Sequence, residues 1–152
     1  MIPKIIHCLW LDFNKQRDGI IDETLQFFLN RIKEVHPEHV INFISKWDEC
    51  ISSIEGDYRW IIELTRNPNI GAAHKSDILR FYYLYKQGGV WVDLSTFFII
   101  PVDKLLDENP DGFSCYYIPH EVCQGFIYKP ASVLYDLIPI SDYLSLIKLI
   151  SS

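Results

Sequence analysis

The chain alternates short apolar runs with longer segments in which apolar residues recur at helical spacing. The first run, "KIIHCLWL" at residues 4–11, is almost continuously apolar, as is typical of a strand covered on both faces. Residues 22–40 place apolar side chains three to four positions apart as far as His36-Pro37, which predicts an amphipathic helix. The β-branched run "HVINFIS" then predicts a second strand.

The same alternation continues in the middle of the chain. The segment "YRWIIELTRN" predicts a second helix that stops before Asn67-Pro68. A third helix is predicted over residues 72–87. Gly88 marks its end, because the left-handed residue that closes a helix is usually glycine. The next strand is predicted over residues 90–100, and "GFIY" at 125–128 predicts another short one.

This order of strands and helices defines the expected fold class. Helices long enough for right-handed crossovers between strands predict an α/β fold with a Rossmann-like sheet flanked by helices. In such sheets ligands bind at the carboxyl ends of the strands. With 152 residues, the chain fits one compact domain over residues 1–152, either whole or truncated at its C-terminus.

Composition narrows the class of ligand. A hydrophobic fraction of 49% is that of a folded globular protein and argues against disorder. The formal net charge of -6 gives no general basic field, so we expect no nucleic-acid partner. A local basic pocket for a phosphate group is compatible with this charge, because a single cation acts over a few ångströms.

The cysteines and the N-terminus bear on the compartment. Four cysteines are scattered singly without the CxxC spacing of a metal site, which favours reduced, partly buried thiols over a disulfide framework. No signal peptide and no apolar stretch of transmembrane length are evident. The sequence therefore predicts a cytoplasmic protein.

Candidate chemistry first appears in "GGVWVDLSTFF" at residues 88–98. If this run is an extended strand, Trp91, Asp93 and Ser95 share one face, because alternate side chains point the same way. A carboxylate and a nearby hydroxyl can reach a hard divalent cation that also binds phosphate oxygens. The alternative is that Asp93 only hydrogen-bonds a neighbouring loop and Ser95 is a tolerated small residue.

The preceding helix carries a second pair of polar residues. Asp77 and Arg80 lie three positions apart on one face of the segment "HKSDILRFYYLYKQGG". An ion pair on a solvated surface is one interpretation, and such a pair contributes little to stability. The other residues of this helix are largely apolar and aromatic, which favours burial, and a buried Asp/Arg pair requires partners.

Taken together, these segments resemble a known family. The order "IPKIIHCLWL", then Trp47-Asp48, then "AAHKSDILRFYYLYKQGGVWVDLS" is similar to glycosyltransferase family 32 and its relatives among capsular polysaccharide synthesis proteins. The resemblance covers roughly residues 2–105 and depends on the combined pattern. It implies a GT-A fold, a nucleotide-diphosphate-sugar donor, a carbohydrate acceptor, a divalent cation (Mn²⁺ or Mg²⁺) and transfer with retention of anomeric configuration.

The resemblance also implies roles for individual residues. Asp77, Arg80 and Asp93 would be catalytic: Asp77 and Arg80 would hold hydroxyls of the donor sugar, and Asp93 would be the first acid of a DXD-type motif that binds the cation. The expected donor-binding set further contains Ile6, His7, Trp10, Gly89 and Trp91. From the residues alone, a lone histidine in an apolar strand is more often a satisfied core residue.

Ser95 is where this chain departs from family 32, whose pattern has a second aspartate at that place. In some capsule-type relatives the pattern at this place looks like Asp-x-Thr, and "VDLS" is closer to that pattern than to Asp-x-Asp. Because serine is a weaker, neutral cation ligand, the metal site expected at Asp93 and Ser95 should have reduced affinity. Two other functions stay open: a non-catalytic nucleotide-sugar or glycan-binding module derived from such an enzyme, and a metal-dependent phosphohydrolase, which would need more acids or a histidine cluster.

Overall fold

The computed structural model describes residues 2–14, 16–94, 96–108, 116–118, 121–123 and 126–129. Strands and helices alternate through the first two thirds of the chain, as predicted. In chain order the elements are β1 (Ile5–Leu9), α1 (Glu23–Val35), β2 (Val40–Ile44), α2 (Trp47–Ser53), a 3₁₀ turn (Gly56–Tyr58), α3 (Arg59–Arg66), α4 (Ala72–Gln87), β3 (Gly89–Val92), α5 (Asp103–Glu108), β4 (Tyr116–Ile118), β5 (Glu121–Cys123) and β6 (Phe126–Lys129).

Four of these strands form the central sheet. Its order is β2-β1-β3-β6, with β1 parallel to both β2 and β3, and β6 antiparallel to β3. The remaining strands, β4 and β5, pair antiparallel with each other. The predicted α/β fold with a Rossmann-like sheet flanked by helices is therefore confirmed, the sheet is mixed, and the strand predicted at "GFIY" corresponds to β6.

Helices cover both faces of the sheet, so β1 and β3 are buried on both sides. On one face, Ile6, Val90 and Val92 pack with Leu29 and Ile32 of α1. On the other face, Trp91 packs in a second cluster with side chains from α2, α3 and α4. Burial on both faces explains why the first strand is nearly all apolar.

Local chemistry sets the helix ends close to their predicted places. At the start of α1, Asp22 accepts a hydrogen bond of 2.8 Å from the Leu25 N–H, and the helix ends just before His36-Pro37. α4 ends at Gly88, whose φ of 66° is readily adopted only by glycine. No helix among the described residues has both the length and the apolar character needed to cross a membrane.

Two predicted boundaries are wrong, and the sequence analysis did not predict helices α2 and α5 or the strand pair β4–β5. The strand expected over residues 90–100 ends at Val92, where a turn begins in which the Thr96 N–H donates to the Asp93 carbonyl at 2.9 Å. Asp93 therefore follows the strand, and Ser95 lies outside the described residues. The first strand covers Ile5–Leu9 and stops short of residue 11. The short helix α2 was not predicted because it has no apolar periodicity beyond two turns.

Three buried histidines join elements of the core. The Nε2–H of His7 donates to the Gly88 carbonyl at 2.8 Å, and its Nδ1 accepts from the Asn42 side-chain amide at 2.9 Å. His36 donates through Nδ1 to the Ile32 carbonyl at 2.8 Å and accepts the Val102 N–H through Nε2 at 2.9 Å. The pKa values of His7, His36 and His39 are lowered, in each case mainly by burial.

We expect these histidines to make stability depend on pH. His39 lies 3.3 Å from an Asp103 carboxylate oxygen, which opposes the lowered pKa without outweighing burial. A histidine with a lowered pKa binds fewer protons in the folded state than in the unfolded state. The full contribution of such a histidine to the free energy of unfolding is present above its ordinary pKa of 6.5 and is lost as the pH falls below that value.

The measurement is urea unfolding at several pH values between about 7.5 and about 5.5. We expect the free energy of unfolding to fall steadily over this range. The exposed His74 provides the control, because His74→Gln should leave the profile unchanged. A flat profile in the wild-type protein would contradict the burial of neutral histidines.

Candidate functional site

The direction of α4 brings its first half to the carboxyl edge of the sheet. α4 runs directly into β3 through Gly88, so its C-terminus lies at the amino end of that strand. Its 16 residues span about 24 Å, which carries its N-terminus past the opposite edge. Asp77 and Arg80 therefore lie near the point where β3 ends and Asp93 follows.

Arg80 joins the two carboxylates of this region. Its Nη1 lies 3.3 Å from Oδ1 of Asp77, and its Nη2 lies 3.7 Å from Oδ1 of Asp93. The Arg80 side chain is 7% exposed, whereas those of Asp77 and Asp93 are 37% and 43% exposed. A buried guanidinium thus supports two carboxylates that a ligand in solvent can reach.

Trp91 forms the floor beneath this cluster. Its ring lies 5.5 Å from the Arg80 guanidinium carbon, a cation–π distance, and its side chain is almost fully buried. The indole N–H lies close enough to Asp93 to favour the charged carboxylate. Among the described residues, however, this buried nitrogen has no partner at hydrogen-bond geometry. Trp91 is therefore placed to support Arg80 and Asp93 from below.

The electrostatics of Asp93 reflect competing effects. Burial raises the pKa of its carboxyl above the ordinary value, and the nearby Asp77 adds to that shift. Arg80 and the Trp91 indole act in the opposite direction. A carboxylate whose charge is only partly compensated can gain from a bound hydroxyl donor or a cation.

Three residues of the expected donor-binding set are part of the core. Ile6 and His7 are fully buried, and both ring nitrogens of His7 are occupied by hydrogen bonds within the protein. Gly89 is buried between strands, with a φ of 87°, and a Cβ there would lie 2.5 Å from the Ile5 carbonyl oxygen. Ile6 and His7 thus present no exposed side chain to a donor and Gly89 has none, so the donor-binding roles of these positions stay a prediction.

Trp10, by contrast, is accessible at the end of β1. It is 47% exposed and lines a cleft of about 300 Å³. The loop that follows is held by Asp12, whose carboxylate accepts hydrogen bonds from the N–H groups of Asn14 at 2.9 Å and Arg17 at 2.8 Å. An exposed indole beside a cleft at this edge is suitably placed for a base or a sugar ring to stack on it.

Lys75 is a residue that the sequence analysis missed. It is 6% exposed, and its ammonium nitrogen lies 5.5 Å from the centre of the Phe13 ring. A signal was present in the sequence, since helical spacing places Lys75 on the same stripe as Leu79 and Tyr82, which are buried core residues. A lysine on a buried stripe needs an explanation.

The described residues form no preassembled metal site. They contain no group of three or more histidine, cysteine, aspartate or glutamate side chains that could hold a metal ion. Asp77 and Asp93 offer two partly exposed carboxylates, and both face the Arg80 guanidinium. Any divalent cation here would need further oxygen ligands from its substrate and from water.

Comparison with known proteins first identifies the class of fold. The structure is similar to that of the solved PaToxG Glycosyltransferase, with a TM-score of 0.51 and 14% sequence identity. The likeness covers 93% of this chain and 61% of that one. This chain therefore shares its fold with that glycosyltransferase, in agreement with the predicted GT-A-like α/β class.

The family follows from the sequence. The chain matches the capsular polysaccharide synthesis protein family over residues 4–122, and it belongs to that family. It is also 33% identical over 138 residues to Inositol phosphoceramide mannosyltransferase 1 of Schizosaccharomyces pombe. That alignment covers 84% of this chain. The chain spans about two fifths of the relative's own length (41%). The resemblance inferred from the motifs is confirmed.

Proposed function

We propose that the protein transfers a sugar from a nucleotide-diphosphate-sugar donor to a hydroxyl group of a carbohydrate or other acceptor, with retention of anomeric configuration. One observation carries the proposal: Arg80 lies between Asp77 and Asp93 at the carboxyl end of β3, within the segment that matches the family. Parallel strands present their ligands at this edge. Family membership and the mannosyltransferase relative support the reaction class.

The proposed roles follow from hydrogen-bonding chemistry. Asp77 and Asp93 are partly exposed acceptors that can bind sugar hydroxyls, and Arg80 holds both carboxylates in one orientation through its planar guanidinium. Trp10 at the end of β1 is available to stack on the nucleotide base or ribose. These contacts would act mainly by positioning the donor and stabilising charge, since the diphosphate carries most of the charge that develops.

A divalent cation is part of the proposal, with Mn²⁺ and Mg²⁺ as candidates. Asp93 would supply a protein ligand, and Ser95 is the second expected ligand. When bound, the cation would neutralise the leaving diphosphate as a Lewis acid. Because the protein contributes few carboxylates here, we expect cation binding to depend strongly on the diphosphate of the donor.

The proposal is tested by calorimetric titration of the protein with GDP-mannose and UDP-glucose, each with and without Mn²⁺. GDP-mannose is the first donor to examine because the yeast relative is named a mannosyltransferase. Binding of one donor, strengthened by the cation, is the expected result. Binding without release of nucleoside diphosphate under any acceptor would favour a non-catalytic binding module, and absence of binding by folded protein would contradict the proposal.

Arg80→Lys is expected to weaken donor binding although it keeps the charge. An ammonium group cannot reproduce the planar fork that faces both Asp77 and Asp93, so at least one charge-assisted contact is lost. If one carboxylate is then misoriented, the donor loses a charge-assisted hydrogen bond of about 1.5–3 kcal/mol, which corresponds to a loss of affinity of about tenfold or more. The measurement is the same titration.

The matched control is Arg66→Lys, which changes an exposed arginine of α3. We expect this control to bind the donor as the wild-type protein does. An Arg80→Lys variant with unchanged affinity would show that the fork is not used to organise the site.

A further inference from the structure

Lys75 is a buried cation that the proposed site does not yet use. Its residue exposure is 6%, and its ammonium group faces the Phe13 ring at 5.5 Å. Within the described part of the chain it forms no ion pair with a carboxylate, whereas Lys4 and Lys86 each pair with a glutamate at 2.7 Å. Burying an unpaired ammonium is unfavourable unless a counter-charge is supplied.

The position of Lys75 indicates where that counter-charge would come from. Lys75 lies five residues before Arg80 on α4, which is about 7.5 Å farther along the helix axis and beyond the end of β3. It contacts Phe13, which follows β1, whereas Arg80 contacts Asp93, which follows β3. Because β1 and β3 are adjacent parallel strands, the two cations stand at neighbouring strand ends.

The first turn of α4 adds to the attraction for an anion. α4 has Gly71 at its N-cap, which has no side chain to accept a hydrogen bond from the first N–H groups of the helix. Such an end carries partial positive charge and free donors. Lys75, which is 6% exposed and has no carboxylate partner within the described residues, is the independent feature that indicates a ligand here.

We propose that Lys75 binds a phosphate group of the donor, so that the diphosphate lies between the ends of β1 and β3. The inference depends on the proposed function for the identity of the donor, but the anion site itself can be tested without turnover. Lys75 is then a binding residue in the first turn of α4, and it supplies positive charge for the donor phosphates.

The test compares Lys75→Met with the wild-type protein in titrations with inorganic diphosphate, GDP and guanosine, all without metal. Methionine keeps most of the buried volume and removes the charge. We expect diphosphate and GDP to bind about tenfold or more weakly to the variant, and Lys75→Arg to retain a large part of the affinity. Lys86→Met is the control, because it removes a paired lysine from the same helix.

Stability gives a second readout that a purely structural lysine would not produce. If Lys75 serves the ligand, Lys75→Met without ligand should unfold at the same temperature as the wild type or higher, because an unpaired buried charge is removed. Diphosphate should raise the midpoint of the wild-type protein and leave that of the variant nearly unchanged. If Lys75 served only to pack on Phe13, the variant would be less stable.

The outcomes separate this inference from the proposed function. Diphosphate affinity within about twofold of wild type in Lys75→Met would overturn the phosphate role, as would wild-type protein that binds no diphosphate. Loss of diphosphate binding in the variant, with no donor turnover by the wild type, would leave the anion site in place and contradict the transferase proposal. Donor turnover by the wild type, together with unchanged diphosphate affinity in Lys75→Met, would support the transferase proposal and contradict the phosphate role of Lys75.

Discussion

Asp93→Asn is expected to reduce donor turnover by about 100-fold or more while the protein stays folded. The amide has the size of the carboxyl group but lacks the charge that pairs with Arg80 and that would bind the cation and the donor hydroxyls. The measurement is the rate at which nucleoside diphosphate is released from the donor sugar. The same dependence on ionised Asp93 predicts that turnover falls on acidification, at a higher pH than for an ordinary aspartate, because burial raises its pKa.

Stability distinguishes a functional role from a structural one for Asp93. Since folding raises the pKa of this carboxyl, the charged form is less favourable in the folded state, and above that pKa Asp93 opposes stability. We therefore expect Asp93→Asn to unfold at the wild-type temperature or above it. The control is Asp57→Asn, an exposed aspartate in the 3₁₀ turn. Turnover of Asp93→Asn within about threefold of the control would remove Asp93 from the site.

Gly89→Ala is expected to destabilise the protein by about 3–5 kcal/mol, a large part of the stability of a domain this size. The φ of Gly89 is 87°, and a Cβ would lie 2.5 Å from the Ile5 carbonyl oxygen, a backbone atom of the neighbouring strand. Relief of this contact requires β1 and β3 to separate. Urea unfolding measures the loss.

Gly56→Ala provides the matched control for this prediction. A Cβ at Gly56 would have no heavy atom within 4 Å, and Gly56 is not among the glycines with positive φ. We expect its effect to lie within about 0.5 kcal/mol of zero. If Gly89→Ala were as mild as this control, the tight approach of β3 to β1 would be wrong, and with it the placement of Asp93.

Much of the fold was predictable because its signals are local. The continuous apolar run of β1, the helical spacing of α1 and the glycine that ends α4 each identify an element without long-range information. The end of β3 was not predictable in this way. Leu94 and Phe98 lie beyond the end of β3 at Val92, but both are buried. The sequence therefore stays apolar past the hydrogen-bonded strand, and this pattern resembles a longer strand.

The candidate site was predictable where residues share one helix. Asp77 and Arg80 are three positions apart, and the structure pairs them at 3.3 Å. The contact of Arg80 with Asp93 joins two elements, and only their packing reveals it. The donor roles of Ile6 and His7 came from the resemblance and stay predictions. The apolar run of β1 had already indicated a strand covered on both sides, as the structure shows at these two positions.

The measurement that tests the transferase proposal most directly is NMR observation of the wild-type protein incubated with GDP-mannose or UDP-glucose and Mn²⁺. It follows release of the nucleoside diphosphate and the anomeric configuration of the sugar product at its first appearance. We predict that one donor is consumed and that the product initially has the donor's anomeric configuration. Folded protein that consumes neither donor, or a product that first appears inverted, would contradict the proposed retaining glycosyltransferase.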